Sequence, residues 1–255
     1  MPNNKKVRSN DGNTSASSRT ATDSKADVMR MARANKILGA LPEKDLEQLA
    51  PKLTPIEFKV EETFHQPLDP IRDVYFPVSG IVSLITLLEG GLSVEVAVTG
   101  SEGVVGISSV MGAKFGTVEA LSQSDGQALK IRATDLREHF DQSPALRAPL
   151  LQYAHNLLIQ VAQNAACNRA HTVEQRLARW LLLTHDRLDG DKFIFTQEFM
   201  SRMLGVRRAG VSVAANTLRQ AGLIDYSRGS ITMIDRKGLE AATCECYRTI
   251  ESYSV

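Results

Sequence analysis

The sequence predicts an α+β protein in three parts: a β-rich N-terminal domain, one long helix, and a C-terminal domain of short helices with a hairpin. Short β-rich runs alternate with Gly and Pro turns between about 54 and 140, and an apolar repeat at helical intervals follows from about 144 to 170. Two amphipathic segments and an apolar/polar alternation then occupy 196–234. The predicted boundaries are 1–27 for a short N-terminal tail, 28–142 for the β-rich domain, 143–170 for the long helix and 171–255 for the C-terminal domain.

The composition is that of an ordinary globular protein. Of the 255 residues, 43% are hydrophobic and 23% are charged, and the net charge is +1. The uncharged run 74–88 is interrupted by Pro77 and Gly80 and falls short of the ~20 residues that a membrane span requires. Three cysteines without a signal peptide favour the reducing cytoplasm over a disulfide framework. We therefore expect a soluble cytoplasmic protein with no membrane partner.

The N-terminal stretch up to about residue 26 is rich in Ser, Asn, Thr and Asp and has almost no large apolar residue. Such a segment cannot bury enough apolar surface to offset the entropy of ordering, so we expect a disordered tail over 1–27. From 28 to 49 the apolar residues recur at helical spacing, and Pro42 is expected to start a second short helix.

The following segment changes to strand-like patterns. Runs rich in β-branched residues occupy 74–76, 81–85 and 94–98, and turns such as Glu89-Gly90-Gly91 separate them. Short strands at regular spacing with Gly and Pro turns are typical of a barrel or a jelly roll.

The next segment predicts a long helix. Ser143 is a good cap and Pro144 suits the first helical position. An apolar repeat follows over about two heptads, formed by Leu151, Ala154, Leu158, Val161 and Ala165. Two interpretations fit this repeat: it joins two chains as a dimer, or it packs on the chain's own β-domain. The helix is expected to break at 168–171, between the two domains.

Residues 196–224 predict two short helices separated by a turn. Phe199, Met203 and Leu204 form one apolar face of the first helix, and Gly205 is suited to the left-handed conformation that ends it. The second helix has an inner apolar stripe, formed by Val211, Ala214, Ala215 and Leu218. This arrangement is typical of a helix-turn-helix.

The opposite face of the second helix is polar. It carries Arg208, Ser212, Asn216 and Arg219, with Arg207 at the helix start. Guanidinium, hydroxyl and amide groups on one exposed face bind phosphates and base edges in the major groove of DNA. The segment 191–224 has five basic and two acidic residues, which favours such a partner. The same polar face would also suit an ordinary solvated helix pair.

The segment after the second helix predicts a β-hairpin. Apolar and polar residues alternate over 223–234 around Arg228-Gly229. A helix-turn-helix followed directly by a hairpin is the winged form, and Arg228 at the hairpin tip is then expected to contact a phosphate. The polar helix face together with the hairpin favours DNA binding over a solvated helix pair.

The C-terminal motifs resemble those of the cyclic-AMP receptor protein/FNR (Crp/Fnr) superfamily of bacterial transcription regulators. The resemblance is carried by TQEFMSRMLGVRRAGVSVAANTLRQAGLI (196–224), DYSRGSITMIDRKGLEAATCECY (225–247) and the upstream VEQRLARWLLLTHDR (173–187). N-terminal landmarks extend it: NKILGALP (35–42), VYFPVSGIVSL (74–84) and VEVAVTGSEGVVG (94–106). It covers roughly 35–247 and implies a β-roll of the cyclic-nucleotide-binding type, a long dimerisation helix and a winged helix-turn-helix.

The resemblance also implies partners. Members of this superfamily act as homodimers on palindromic double-stranded DNA and contact RNA polymerase. Two recognition helices about 34 Å apart suit such a site. The resemblance thus favours the dimer interpretation of the long helix.

The ligand site of the β-roll departs from the family pattern. Nucleotide-binding members hold the cyclic phosphate with a Glu shortly after a Gly and an Arg-Ser pair about ten residues further on. Here the Glu position corresponds to Ile107, and the Arg-Ser position falls near Thr117-Val118. Lys114 offers a charge but lacks the bidentate fork of an arginine. We predict no tight cyclic-nucleotide binding, and the effector, if one exists, is not identified by the sequence.

No metal site is predicted. Residues 1–50 contain no cysteine, which excludes the FNR type of iron–sulfur site, and Cys244 and Cys246 point to different faces of a helix. Cys167 is distant in the sequence, so the three thiols are interpreted as packing residues. The histidines show no metal-binding spacing, which also argues against an enzymatic cupin; they are His65, His139, His155, His171 and His185.

The sequence therefore predicts a non-enzymatic, homodimeric transcription regulator. Base-edge contacts are assigned to Arg208, Ser212 and Asn216, and backbone contacts to the remaining polar residues, Gln197, Arg207, Arg219 and Arg228. Members that read TGTGA- or TTGAT-like half-sites carry Glu and Arg where this chain has Ala209 and Val213, so those half-sites do not transfer. The alternative is a ligand-binding regulatory module that acts through a protein partner.

Overall fold

The computed structural model describes residues 21–227 and 229–253. Arg228 and the predicted tail up to residue 20 therefore lie outside the described residues. Within the described residues, the β-domain is preceded by the helices α1 (Ala21–Ala34), α2 (Lys36–Gly39) and α3 (Glu43–Leu49). None of the helices in the described part of the chain combines the length and the hydropathy of a membrane span.

The β-domain is a roll of two antiparallel sheets, as the sequence predicts. Its strands are β1 (Thr54–Phe58), β2 (Thr63–His65), β3 (Asp73–Ser79), β4 (Val82–Leu87), β5 (Ser93–Thr99), β6 (Glu119–Ser122) and β7 (Gly126–Arg132). One sheet has the order β1-β7-β3 and the other β2-β6-β4-β5. The alternate residues Val74 and Phe76 on β3 are buried, opposite Ile131 and Leu129 on β7. The three predicted strand runs overlap β3, β4 and β5.

A buried amide side chain joins the N-terminal helices to the roll. Asn35 caps α2, because its Oδ1 accepts from the backbone N–H groups of Ile37 and Leu38. Its Nδ2 donates to the carbonyl oxygens of Pro77 and Gly103, each at 2.9 Å. All the hydrogen-bonding groups of this amide are thus used between the helices and the roll.

Helix α1 overlaps the segment that the sequence predicts to be a disordered tail. Helix α1 begins at Ala21, so it includes residues 21–27 of the expected tail. Among the residues of this helix whose burial is described (25–34), Val28 and Ala32 pack into the core. The apolar spacing in the sequence identifies the residues that contact the core, but it does not predict the polar residues at the start of the helix to be helical.

Two helices follow the roll, α4 (Ala133–Gln142) and the long α5 (Pro144–Ala170). The Ser143 side chain accepts from the N–H of Leu146, which confirms the predicted cap with Pro144 at the first helical position. Helix α5 ends within the expected break at 168–171. Thr172 then starts α6 (Val173–His185) with a capping box that includes Gln175.

The apolar repeat of α5 divides between two environments. Leu151, Leu158 and Val161 are 49%, 63% and 37% exposed, and Ala165 is exposed as well. Ala154 is only 7% exposed and packs into the core of the roll, unlike the other four residues predicted for the dimer seam. We call the exposed set, Leu151, Leu158, Val161 and Ala165, the apolar stripe.

The C-terminal domain is a winged helix-turn-helix. Its further elements are β8 (Lys192–Ile194), α7 (Gln197–Leu204), α8 (Arg208–Gln220), β9 (Ile224–Ser227), β10 (Ser230–Met233), α9 (Arg236–Ala242) and α10 (Cys246–Ser252). The predicted hairpin is β9-β10, and β8 pairs with β10 on its other side. The strand β8 was not predicted.

The roll and the C-terminal domain share one apolar core. Ile81, Ile85, Val98 and Leu121 of the roll belong to the same buried cluster as Trp180, the central side chain of α6. An aromatic group continues this core: the rings of Trp180 and Phe195 are 4.8 Å apart, and those of Phe195 and Phe199 are stacked at 5.5 Å. The core therefore fixes the orientation of the C-terminal domain on the roll.

A buried carboxyl lies beside this shared core. Ser83 Oγ and Gln123 Nε2 each donate to Glu95 Oε2 at 2.7 Å, and Ser83 Oγ lies 3.5 Å from the sulfur of Met203 on α7. Burial raises the pKa of Glu95 from 4.5 to about 7, and the hydrogen bond from Ser83 opposes this rise. Between pH 4.5 and about 7, Glu95 is therefore protonated to a greater extent in the folded protein than in the unfolded chain.

This pKa shift predicts a pH dependence of stability. Between pH 4.5 and about 7 the folded state binds more protons at Glu95 than the unfolded state, so the free energy of unfolding falls as pH rises through this window. The contribution is about 3 kcal/mol, from 1.36 kcal/mol per pKa unit. Glu95→Gln, which does not titrate, should remove this fall in urea unfolding measured from pH 4.5 to 8. Glu47→Gln, an exposed change on α3, should retain it. An unchanged pH profile in Glu95→Gln would contradict the assignment.

Candidate nucleic-acid interface

The turn between α7 and α8 is built from local sequence signals. Thr196 caps α7, since its Oγ1 accepts from the N–H of Phe199 at 3.0 Å. Gly205 ends this helix at φ 60°, in the left-handed region. A Cβ at this position would lie 3.0 Å from the Cβ of Val94, so the turn also requires a glycine because it packs closely on β5.

The predicted apolar faces of both helices are confirmed. All the predicted inner residues are buried: Phe199, Met203, Leu204, Val211, Ala214, Ala215 and Leu218. The Arg176 guanidinium on α6 donates to the carbonyl oxygen of Leu204, the last residue of α7. Helix α8 is therefore held by its apolar side, and its polar side is directed to solvent.

The polar face of α8 brings together most of the residues predicted to bind DNA. Arg208 Nε donates to Gln197 Oε1 at 3.2 Å, and Arg219 Nη2 donates to Asn216 Oδ1 at 3.0 Å. Ser212 Oγ donates to the carbonyl oxygen of Arg208 at 3.1 Å. These exposed pairs leave further guanidinium and amide N–H groups available to a ligand.

The same side chains line a shallow concavity of ≈ 200 Å³, together with Tyr226 on β9. The lining residues from the helices are Gln197, Ser212, Ala215, Asn216 and Arg219. Tyr226 was missed in the sequence analysis. The hairpin alternation places Tyr226 two residues after the buried Ile224, on the same face of β9, but only the tertiary packing brings it beside the polar residues of α8. Burial raises the pKa of Tyr226, and the nearby Arg208 opposes this rise.

Arg207 is exposed at the N-terminal end of α8, as expected. Arg228 lies outside the described residues, so its predicted phosphate contact stays a prediction. Val213 is 62% exposed and Ala209 is exposed, so the two positions that depart from the family pattern face solvent.

The roll contains a cavity of ≈ 320 Å³ against α5. Leu157 and Val161 of α5 close it, and the positions expected to correspond to the phosphate site, Ile107, Thr117 and Val118, line it. No Lys or Arg occurs among the lining residues that the structure describes; the exposed Lys114 is not one of them. Burial lowers the pKa of His65 in this cavity, so its imidazole is neutral at pH 7.

The three cysteines, which the sequence predicts to be packing residues, pack against one another although Cys167 is distant from the other two in the sequence. Cys167, Cys244 and Cys246 are all buried, and they lie together with His171 in one cluster. The end of α5 meets the segment between α9 and α10, which brings these distant residues together. The spacing of four between Cys167 and His171 at the helix end was the signal available in the sequence, because such a pair shares one helix face.

Comparison with known proteins agrees with this architecture. The model of the Crp-like helix-turn-helix domain matches residues 175–242, and that of the cyclic nucleotide-binding domain matches residues 55–143. Together they cover more than half of the chain. No curated protein matches the sequence.

Solved structures share the fold at low sequence identity. FixK2 from Bradyrhizobium japonicum is 18% identical with a TM-score of 0.65, over 75% of this chain and 98% of that chain. A transcriptional regulator of the crp/fnr family from Eubacterium rectale is 17% identical with a TM-score of 0.67, over 82% of this chain and 98% of that chain. The regulator CLP from Xanthomonas campestris is 18% identical with a TM-score of 0.61, over 75% of this chain and 99% of that chain.

The fold and the site define a β-roll of the ligand-sensing type joined to a helix-turn-helix DNA-binding domain. With both domain models in the expected order, the chain belongs to the Crp/Fnr family of transcription regulators.

The position of Arg208 predicts a role in reading DNA sequence. Arg208→Ala should weaken binding to the preferred duplex by ~1–3 kcal/mol, because a bidentate contact to a base edge is lost, and should relax preference at one base position. Fluorescence anisotropy on the preferred duplex and all its single-base variants measures both effects. Arg248→Ala, an exposed change on α10, should leave binding unchanged. If Arg208→Ala weakens binding to every duplex equally, Arg208 contacts a phosphate and does not read a base.

Proposed function

We propose that the protein binds a palindromic DNA site as a homodimer and regulates transcription without cyclic AMP. The observation that carries this proposal is the exposed polar face of α8, which rests on a buried apolar side and is lined by hydrogen-bond donors. A helix of this kind reads base edges when it enters the major groove.

We assign roles along α8 by position. Arg208, Ser212 and Asn216 face one side of the helix and contact base edges, whereas Gln197, Arg207 and Arg219 bind the phosphate backbone. Arg228 at the hairpin tip remains a proposed phosphate contact. The exposed Val213 and Ala209 suit thymine methyl groups, which an apolar side chain contacts in the major groove. The half-site therefore differs from those read by Glu and Arg at these positions.

The proposed dimer forms along the apolar stripe of α5. Leu151, Leu158 and Ala165 repeat at intervals of seven on the exposed side of the helix, which is the spacing of a coiled-coil seam. Exposed leucines at this spacing are unfavourable in water and are stabilised when a second copy covers them.

The proposed effector, if one is required, is not a cyclic nucleotide. A buried phosphate needs a paired cation as well as hydrogen-bond donors. The described lining of this cavity is mostly apolar and offers the hydroxyls of Thr86, Ser108 and Thr117 and the imidazole of His65, but no Lys or Arg. CLP is described as responsive to c-di-GMP. The same charge argument applies here to any anionic nucleotide, so a neutral apolar ligand fits this cavity better.

The remaining parts of the proposal concern cellular context. Regulation of transcription implies RNA polymerase as a partner and the cytoplasm as the location. Free, buried thiols suit that reducing compartment. We assign the chain no enzymatic activity, since its polar face is arranged for binding.

Selection of bound duplexes from a random pool tests the proposed function directly. The purified full-length protein, without effector, should recover a two-fold-symmetric motif whose half-sites lie about one helical turn apart. Adding cyclic AMP should change neither the motif nor its affinity. Binding that is weak, independent of sequence and steeply salt-dependent, with or without cyclic AMP, would contradict the proposal.

The dimer proposal predicts the effect of a charge in the apolar stripe. Leu158→Glu should raise the dimer dissociation constant by at least ~100-fold, because a parallel seam would bury two facing carboxylates. Sedimentation velocity measures the shift toward monomer. Leu68→Glu changes an exposed leucine outside α5 and should leave the dimer intact. If Leu158→Glu dimerises as tightly as the wild-type protein, the dimer interface lies elsewhere.

A further inference from the structure

Three thiols and one imidazole meet where the long helix joins the C-terminal domain. Cys167 lies in the last turn of α5 and His171 is the residue that ends this helix. Cys246 is the first residue of α10, and Cys244 lies in the short segment that joins α9 to α10. We propose that these four residues bind one zinc ion, which links α5 to the last helix of the DNA-binding domain.

The distances within the cluster suit a single metal ion. One ligand atom from each residue lies within 4.8 Å of the others. Cys167 Sγ and Cys244 Sγ are 3.6 Å apart, and Cys246 Sγ is 3.5 Å from His171 Nδ1. Ligands placed tetrahedrally around zinc, at 2.3 Å for sulfur and about 2.0 Å for nitrogen, lie about 3.5–3.8 Å apart. The observed pairs match this spacing.

The surroundings of the cluster also suit a metal site. His171 presents Nδ1 to Cys246, and its Nε2 lies 3.3 Å from the carboxylate of Glu245. Metal-binding histidines commonly use their second nitrogen in this way, which fixes the ring and raises its basicity. Gln163 Nε2 donates to Cys246 Sγ at 3.0 Å, as amides do toward thiolate ligands.

The ligand set selects zinc. Three sulfurs and one imidazole complete a tetrahedral Cys₃His set, and the burial of all three cysteines leaves this set closed, as in structural zinc sites. Three thiolates with Zn²⁺ carry a net charge of about −1 by the deprotonation that such binding requires. The buried Arg176 and Arg179 interact electrostatically with Cys167 and offset this charge.

The proposed ion would act on the hinge between the two domains. Helix α5 carries the apolar stripe, and α10 packs on α5 and α6 within the C-terminal domain. A metal that joins α5 to α10 restricts the angle between the dimer helix and the helix-turn-helix. Since binding requires folded ligands, the ion also contributes to the stability of the chain.

Metal analysis of the full-length protein, purified without chelators, tests the proposal. Inductively coupled plasma mass spectrometry should find one zinc per chain, and reconstitution with Co²⁺ should give the visible bands of a tetrahedral thiolate site. His171→Gln and Cys244→Ser should lose the ion, whereas His155→Gln, an exposed change on α5, should retain it. Zinc at background level, or one equivalent retained in both ligand variants, would overturn the proposal.

An exposed neighbour of the cluster provides a test that does not depend on folding of a ligand variant. Glu245→Ala should weaken zinc affinity by roughly 10–100-fold in competition with a chelator, because His171 loses the carboxylate that orients it. Glu251→Ala, an exposed change on the same helix, should leave the affinity unchanged. Equal affinities in the two variants, an iron content in place of zinc, or a Cys167–Cys244 disulfide in protein purified anaerobically would overturn the proposal.

Discussion

The apolar core shared by the roll and the C-terminal domain is the constraint on which the rest of the structure depends. Ile81, Ile85 and Val98 of the roll are buried in the same cluster as the inner faces of α7 and α8. Neither domain can turn on the other without exposing these side chains, since hydrophobic stabilisation scales with the apolar area removed from water. The direction in which α8 presents its polar face is thus set by residues more than a hundred positions earlier in the chain.

Polar contacts at the same junction determine how the elements align. Asn164 of α5 donates to the carbonyl oxygen of Val96 at 2.8 Å and accepts from the Arg179 guanidinium on α6. Gln160, one turn earlier, accepts from the N–H of Val98 at 2.6 Å. Apolar packing alone tolerates small shifts in register, whereas buried polar groups must keep their partners. These amides therefore fix the position of α5 along β5.

The sequence predicted most of the elements because local signals agree with the tertiary structure. Thr196 and Ser143 cap their helices, Gly205 adopts the left-handed conformation, and the 3.6-residue period marks the buried side of α8. The polar residues of the candidate interface were predicted for the same reason: a helix held by one face must present the other.

The features that were missed depend on contacts between distant segments. Ala154 fits the heptad repeat as well as Leu158 does, and only the packing of the roll against α5 separates them. Tyr226 joins the interface through strand pairing. Cys167 and Cys244 are 77 positions apart, and no local pattern predicts that the end of α5 meets the start of α10. Sequence periodicity identifies a helix face but not which distant segment covers it.

The location of the thiols has a practical consequence for studying motion in this protein. The chain has three cysteines, and all of them are buried at one junction. In metal-free protein a thiol-reactive dye can reach them only when α5 and α10 separate, so its rate of incorporation measures how often that junction opens. The native chain thus contains its own probe of interdomain dynamics, and no engineered label is needed to follow it.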